Sequence, residues 1–285
     1  MTRRLALAAR VSSVVLLGGI VLASIALPFW STFEERAGEV EERAGEVALR
    51  KLGASISDAK FGGRLVELPA QISDDTLIKE GPHLEKLNIA HLSLPHAKFT
   101  SLEPLKGLTN LSSLDLSDAI GITSLEPLKG LTELRSLDLS YATAITSLEP
   151  LKGLTNLSSL NLRNATGITS LEPLKELTKL TSLNLNSATG ITSLEPLKGL
   201  TNLSSLDLSD AIGITSLEPL KELTELRSLT LINDAGITSL EPLKGLTNLS
   251  TLYLNDAKGI TSLEPLKELG VQIYGASDEL LATMN

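Results

Sequence analysis

SLEPLKGLTNLSSLDLSDAIGIT, residues 101–123, returns at a fixed 23-residue period from Ser124, Ser147, Ser170, Ser193, Ser216 and Ser239, and a truncated eighth copy begins at Ser262. A period of this length marks a solenoid, in which each copy is one turn that cannot bury its apolar face until its neighbours stack on it. In the first copy the apolar residues are Leu102, Leu105, Leu108, Leu111, Leu114, Leu116 and Ile122, with a small residue at Ala119. Leu111, Leu114 and Leu116 have the spacing of a short strand. Stacked turns place such strands in one parallel sheet, about 4.8 Å apart.

These motifs, LSSLDLSDAIGIT with its relatives LRSLDLSYATAIT and LSTLYLNDAKGIT, resemble those of leucine-rich repeat proteins from about Leu84 to the C-terminus. The spacing A-x-x-I-T resembles the cysteine-containing subclass with Ala for Cys, and the E-P-L-K-x-L half resembles internalin-like repeats. The resemblance implies an α/β solenoid, a horseshoe with a parallel sheet on its concave face and short helical or 3-10 turns on its convex face. The family pattern has Asn or Cys at a buried turn position; that column here reads Ala119, Ala142, Ala165, Ala188, Ala211, Asp234 and Ala257. Alanine cannot hydrogen-bond the turning backbone, so the following Gly-Ile-Thr is expected to do so, with Gly at positive φ and Thr bonding locally.

In T-S-L-E-P-L-K, Ser is placed as a cap and Pro in the first turn of a short helix or 3-10 turn. Its Glu and Lys form columns, Glu103 to Glu264 and Lys106 to Lys267, which read as a solvated face; exposed pairs of this kind contribute at most about 1 kcal/mol each.

Six segments are expected along the chain. Residues 1–10, with Arg3, Arg4 and Arg10, are a basic cytoplasmic terminus. Residues 11–30, uncharged and apolar, are a transmembrane signal-anchor helix, or a signal peptide with small residues at Ser24-Ile25-Ala26. Residues 31–53 hold the tandem EERAGEV heptads and form a charged helical stalk. Ala37, Val40, Ala44 and Val47 have heptad spacing that allows a weak dimer, although two heptads, each with a Gly, are too few to hold a coiled coil unaided. Otherwise a monomer is expected. Residues 54–100 contain a strand, a Gly-Gly turn, a second strand, a helix and an irregular first repeat, which together cap the solenoid. Residues 101–261 are the seven repeats, and residues 262–285 a truncated repeat and C-terminal cap.

The positive-inside bias places the repeats on the extracytoplasmic side of a single-pass membrane protein, or in a secreted or periplasmic form after cleavage. A net charge of -9 argues against a nucleic-acid partner, and with no Cys there are no disulfides. No phosphate loop or nucleophile motif is present, and neither enzyme activity nor a cofactor is expected. His83, His91 and His96 read as surface or cap residues. Asp115, Asp138 and Asp207, with Asn161 and Asn184 between them, form a polar column that reads as a solvated face in preference to a calcium site. The sequon asparagines Asn110, Asn156, Asn202 and Asn248 read as repeat consensus.

Two functions fit. One is an envelope-anchored module that recognises a protein or surface polymer through the sheet. The other is a structural spacer, favoured by the identity of residues 101–123 and 193–215 at every position. The sheet face is monotonously Ser, Asp and Asn until the sixth and seventh turns, which bring Arg227, Thr230, Ile232, Tyr253 and Asn255. These five are the candidate partner-binding residues, because Tyr and Arg most often dominate binding energy. Arg135, Tyr141 and Arg163 are the fallback.

Overall fold

The structure, a computed structural model, describes residues 23–59, 62–70, 72–96 and 98–284, with side chains from residue 35 onward. Its centre is an eleven-stranded sheet whose strands follow one another in chain order. Strands β1 (Ser55–Asp58) and β2 (Arg64–Glu67) pair antiparallel across the Gly62-Gly63 turn. From β2 onward every pairing is parallel, through β3 (Ile89–Ser93), the repeat strands β4 (Ser113–Asp115), β5 (Ser136–Asp138), β6 (Ser159–Asn161), β7 (Ser182–Asn184), β8 (Ser205–Asp207), β9 (Ser228–Thr230) and β10 (Thr251–Tyr253), to β11 (Gln272–Tyr274).

Each repeat strand buries its central leucine, and the register sets Leu114, Leu137, Leu160, Leu183, Leu206, Leu229 and Leu252 side by side. The other repeat leucines and the Ile of I-T are buried behind them, so one continuous core runs the length of the solenoid. The opposite wall is a series of 3-10 turns, from Glu103–Leu105 to Glu264–Leu266, each with Pro in its first turn. The serine acts one position earlier than an N-cap. Ser101 Oγ accepts the Glu103 N–H at 3.3 Å and Ser124 Oγ the Glu126 N–H at 3.2 Å, while Leu102 and Leu125 occupy the cap position without a side-chain bond.

The turn after each strand differs from the sequence expectation. Positive φ falls on the residue before the alanine, namely Asp118, Tyr141, Asn164, Ser187, Asp210, Asn233 and Asp256, rather than on the glycine. Asn and Asp tolerate this region better than other side-chain-bearing residues, which explains the composition of that column apart from Tyr141 and Ser187. From the third turn on the glycine is needed for space instead, whereas the second turn carries Ala144 at this place. A Cβ on Gly167 would lie 2.5 Å from the Ile145 carbonyl oxygen and 2.7 Å from that of Thr143 in the preceding turn. At the alanine itself closure is by backbone, with the Ile122 N–H donating to the Ala119 carbonyl at 3.2 Å.

Helix α1 spans Ala23–Lys51. The apolar run expected to span a membrane lies outside the described residues up to residue 22, and its remainder opens α1. Among the described residues no helix is long and apolar enough to cross a membrane. From Glu42 on, α1 is no free stalk. Leu49 is buried, and Arg64 of β2 donates to Glu42 Oε1 at 2.6 Å and to Glu46 Oε2 at 3.0 Å. Hydrogen bonding from Arg50, with the nearby Arg64 charge, holds the Glu46 carboxyl below the usual range. Helix α2 (Asp74–Lys86) is capped by Ser73 and runs on through Gly81-Pro82. Gly81 lets the helix approach Pro104 of the first repeat, where an added Cβ would sit 3.2 Å from the proline ring.

At the far end α3 (Asp278–Ala282) starts at the Ser277 cap, whose Oγ accepts the Leu280 N–H at 3.2 Å. Thr283 Oγ accepts the Leu263 N–H at 2.8 Å and so ties this helix to the last turn.

Candidate functional site

Along most of the sheet the outward Asp and Asn residues are engaged in closing their own turns. Asp115 Oδ1 accepts the Ser117 N–H at 2.9 Å, and Asp138, Asn161, Asn184 and Asp207 each receive the N–H two residues on in the same way. In two places the second polar atom also links neighbouring turns: Ser93 donates to Asp115 Oδ2 and Asn161 Nδ2 to Asp138 Oδ2, both at 2.9 Å. This column is a ladder of side-chain-closed turns. Among the described residues no group of His, Asp and Glu is arranged to hold a metal ion; His96 lies by Asp118 and His83 by Glu80.

The ladder stops at β9, where the column becomes Thr230 and then Tyr253. Parallel register places Tyr253 between Thr230 and Tyr274. The Tyr253 and Tyr274 rings stack with centroids 5.0 Å apart and planes inclined by 20°. They remain 36% and 46% exposed, so stacking leaves ring surface open to solvent. The Tyr274 hydroxyl donates to Gln272 Oε1 at 3.0 Å, which holds the outer ring in place.

The other expected residues divide around this pair. Ile232 is half-buried just past the end of β9, and its carbonyl accepts the Asp210 N–H at 2.9 Å. Asn255 is exposed, with its side chain against Gly275, and its carbonyl accepts the Asn233 N–H at 2.8 Å. Arg227 turns away. Its guanidinium lies 3.5 Å from Glu225 on the approach to β9, and its carbonyl serves the ladder by accepting the Ser250 and Thr251 N–H groups at 2.9 Å. Tyr274 escaped the sequence reading because it lies beyond the last repeat; the alternation of Val271, Ile273 and the intervening residues was the signal that placed it on the same face.

At the fallback position the Arg163 guanidinium sits 5.7 Å from the Tyr141 ring centroid, so both groups are engaged with each other. The consensus asparagines are structural, with Asn156, Asn202 and Asn248 donating to the carbonyls of Thr132, Thr178 and Thr224 in the preceding turn. The Glu and Lys columns form exposed pairs such as Lys221–Glu218 at 2.6 Å and Lys175–Glu172 at 3.4 Å.

A family model for leucine-rich repeats, in two copies, matches residues 132–176 and 178–222. An internalin, InlF, from Listeria monocytogenes is 32% identical with a TM-score of 0.60, the match covering 67% of this chain and 55% of that one. Internalin C2 from the same organism is also 32% identical, with a TM-score of 0.58, and the match covers 68% of this chain and 83% of that one. A leucine-rich repeat protein from Leptospira interrogans shares the fold at 20% identity and a TM-score of 0.51, over 74% of this chain and 57% of that one. The chain spans about half the length of the InlF structure it matches. No curated protein sequence matches it. The chain belongs to the leucine-rich repeat family, with internalin-like repeats, and is a non-enzymatic repeat protein.

Proposed function

We propose that this chain recognises a protein partner through the C-terminal end of its sheet face, centred on Tyr253 and Tyr274 with Thr230, Ile232 and Asn255 around them. The observation that carries this reading is the stacked, exposed tyrosine pair at the place where the ladder of closed turns ends. Aromatic residues of this kind offer a large contact area at small entropic cost. The repeat family to which the chain belongs supports a protein as the partner class. Arg227 contributes once it is released from Glu225, an exposed pairing that costs little to break.

Anchoring is part of the same proposal. The basic residues 1–10 and the apolar run 11–30 tether the solenoid to a membrane with its repeats outside the cytoplasm; cleavage near Ala26 releases a secreted or periplasmic form. The spacer reading, favoured by the identical turns 101–123 and 193–215, is what remains if no partner exists.

The test is a pull-down from an envelope extract with the chain from Ser31 onward, followed by titration of the captured protein. Tyr253→Ala with Tyr274→Ala is expected to weaken binding at least about tenfold, or about 1.4 kcal/mol, with little change in the melting temperature. Saturable binding that the double variant leaves unaltered removes the site from this patch. Failure to capture any saturable partner favours the spacer.

A further inference from the structure

The tandem EERAGEV heptads present two faces of α1 to different surroundings. In heptad lettering with Ala37 and Ala44 at a, Val40 and Val47 fall at d, Glu42 and Leu49 at f, Gly45 at b and Glu46 at c. The cap covers the b, c and f side. Leu49 is buried in it, Gly45 lies against the His83 backbone, and Glu42 and Glu46 hold Arg64. At 3.6 residues per turn, f points almost directly away from the a/d seam. That seam is bare: Val40 is 67% exposed and Val47 52%, and Ala37 and Ala44 are exposed beside them.

The same register carried back along the α1 backbone falls on Phe33 (d) and Trp30 (a), so the apolar repeat covers three heptads within one continuous helix. Three heptads reach the length at which a sustained a/d pattern specifies a coiled coil.

We propose that this seam pairs with the same seam of a second copy of the chain, as a parallel two-stranded coiled coil that leaves both caps and both solenoids free. Charge selects the orientation. In a parallel pair the g residue of one helix meets the e residue of the next heptad on its partner, which sets Arg36 against Glu41 on both sides of the seam. An antiparallel pair sets g against g, and so Arg36 against Arg43 twice. Glu41 already lies 3.1 Å from Lys86, both side chains being more than half exposed, and its carboxylate has lone pairs to accept a further cation. The seam contains no residue that the cap or the sheet face uses, so this pairing is independent of what the sheet binds.

The chain has no cysteine of its own, which makes single-cysteine crosslinking in the full chain, in mild detergent, a direct test. In a parallel pair Val40 faces its own copy, so two cysteines placed there can approach to the Cβ separation of roughly 3.5–4.5 Å of a disulfide. Val40→Cys is therefore expected to form about tenfold more crosslinked dimer than Glu39→Cys, which sits at c on the same helix. Arg36→Glu should reduce the crosslinked fraction, and adding Glu41→Arg should restore it. Val40 is exposed, so these variants keep their fold, which far-ultraviolet circular dichroism verifies. Crosslinking of Val40→Cys no greater than that of Glu39→Cys overturns the proposal. So does a disulfide that forms only when Val40→Cys and Ala37→Cys chains are mixed, since that is the pairing of the antiparallel arrangement.

Discussion

Replacing Asp234 by asparagine is expected to stabilise the sixth turn at neutral pH. Asp234 occupies the buried column that is alanine in every other repeat, and it is fully inaccessible to solvent. Its Oδ1 accepts the Gly236 N–H at 3.0 Å and the Ile237 N–H at 3.2 Å, taking over the closure that the backbone carbonyl performs in the alanine turns. Its Oδ2 is buried without a partner. Burial pushes the carboxyl above its ordinary value, and the two backbone donors offset this only in part. Asparagine keeps the Oδ1 acceptor and removes the charge. Its Nδ2 takes the place of the unpartnered Oδ2, so the gain comes from the lost charge alone; a buried unpaired polar atom costs about 1–3 kcal/mol and a charged one more, and the difference should stabilise Asp234→Asn by about 1 kcal/mol.

The pH dependence follows from linkage. The folded chain holds the Asp234 proton more tightly than the unfolded chain, so folding takes up a proton between the ordinary carboxylate pKa and the raised folded one. The parent is therefore stabilised as pH falls through that interval, and bears the full penalty above it. Asparagine does not titrate, so the advantage of the variant is greatest at neutral pH and shrinks on acidification. Amide hydrogen exchange at Gly236 and Ile237, read together with urea denaturation at several pH values, measures this locally and globally. An advantage that is constant across that pH range, or a variant less stable than the parent at neutral pH, refutes the reasoning.

Leu160→Asp introduces a charge between Leu137 and Leu183, which offer no partner, and should cost several kcal/mol. In a nearest-neighbour array the damage splits the melting transition near the third turn; a curve that overlays the parent would show that this leucine column is not core. A reporter fused after Asn285 should be active only outside the cytoplasm, and activity inside it would sink the proposed anchoring.

What the sequence made legible was whatever the period repeats seven times over. The leucine columns, the strand positions and the Pro-containing turns follow from local pattern because each is fixed within a single copy, and the cap hairpin, outside the repeats, follows from its own Gly62-Gly63 turn. What escaped depends on a neighbour in space. Gly38 and Gly45 occupy the same place in two identical heptads, yet nothing lies within 4 Å of a side chain at the first, whereas one at the second would meet the His83 carbonyl at 3.3 Å. The turn glycines were misread for the same reason. Their constraint is the carbonyl of the preceding turn, while the left-handed position was visible as a column of Asp, Asn and Ser that Tyr141 interrupts. This bears on where recognition resides. An outward residue that repeats in every turn is explained by closing that turn, as the Asp115-to-Asp207 ladder shows, and so reports on folding. Only outward residues that break the column are left without a structural task, and the largest of these, Tyr253 and Tyr274, lie on the two strands where the ladder has ended. The binding face should therefore be sought where the repeat is least regular, even though the regular part makes up most of the surface.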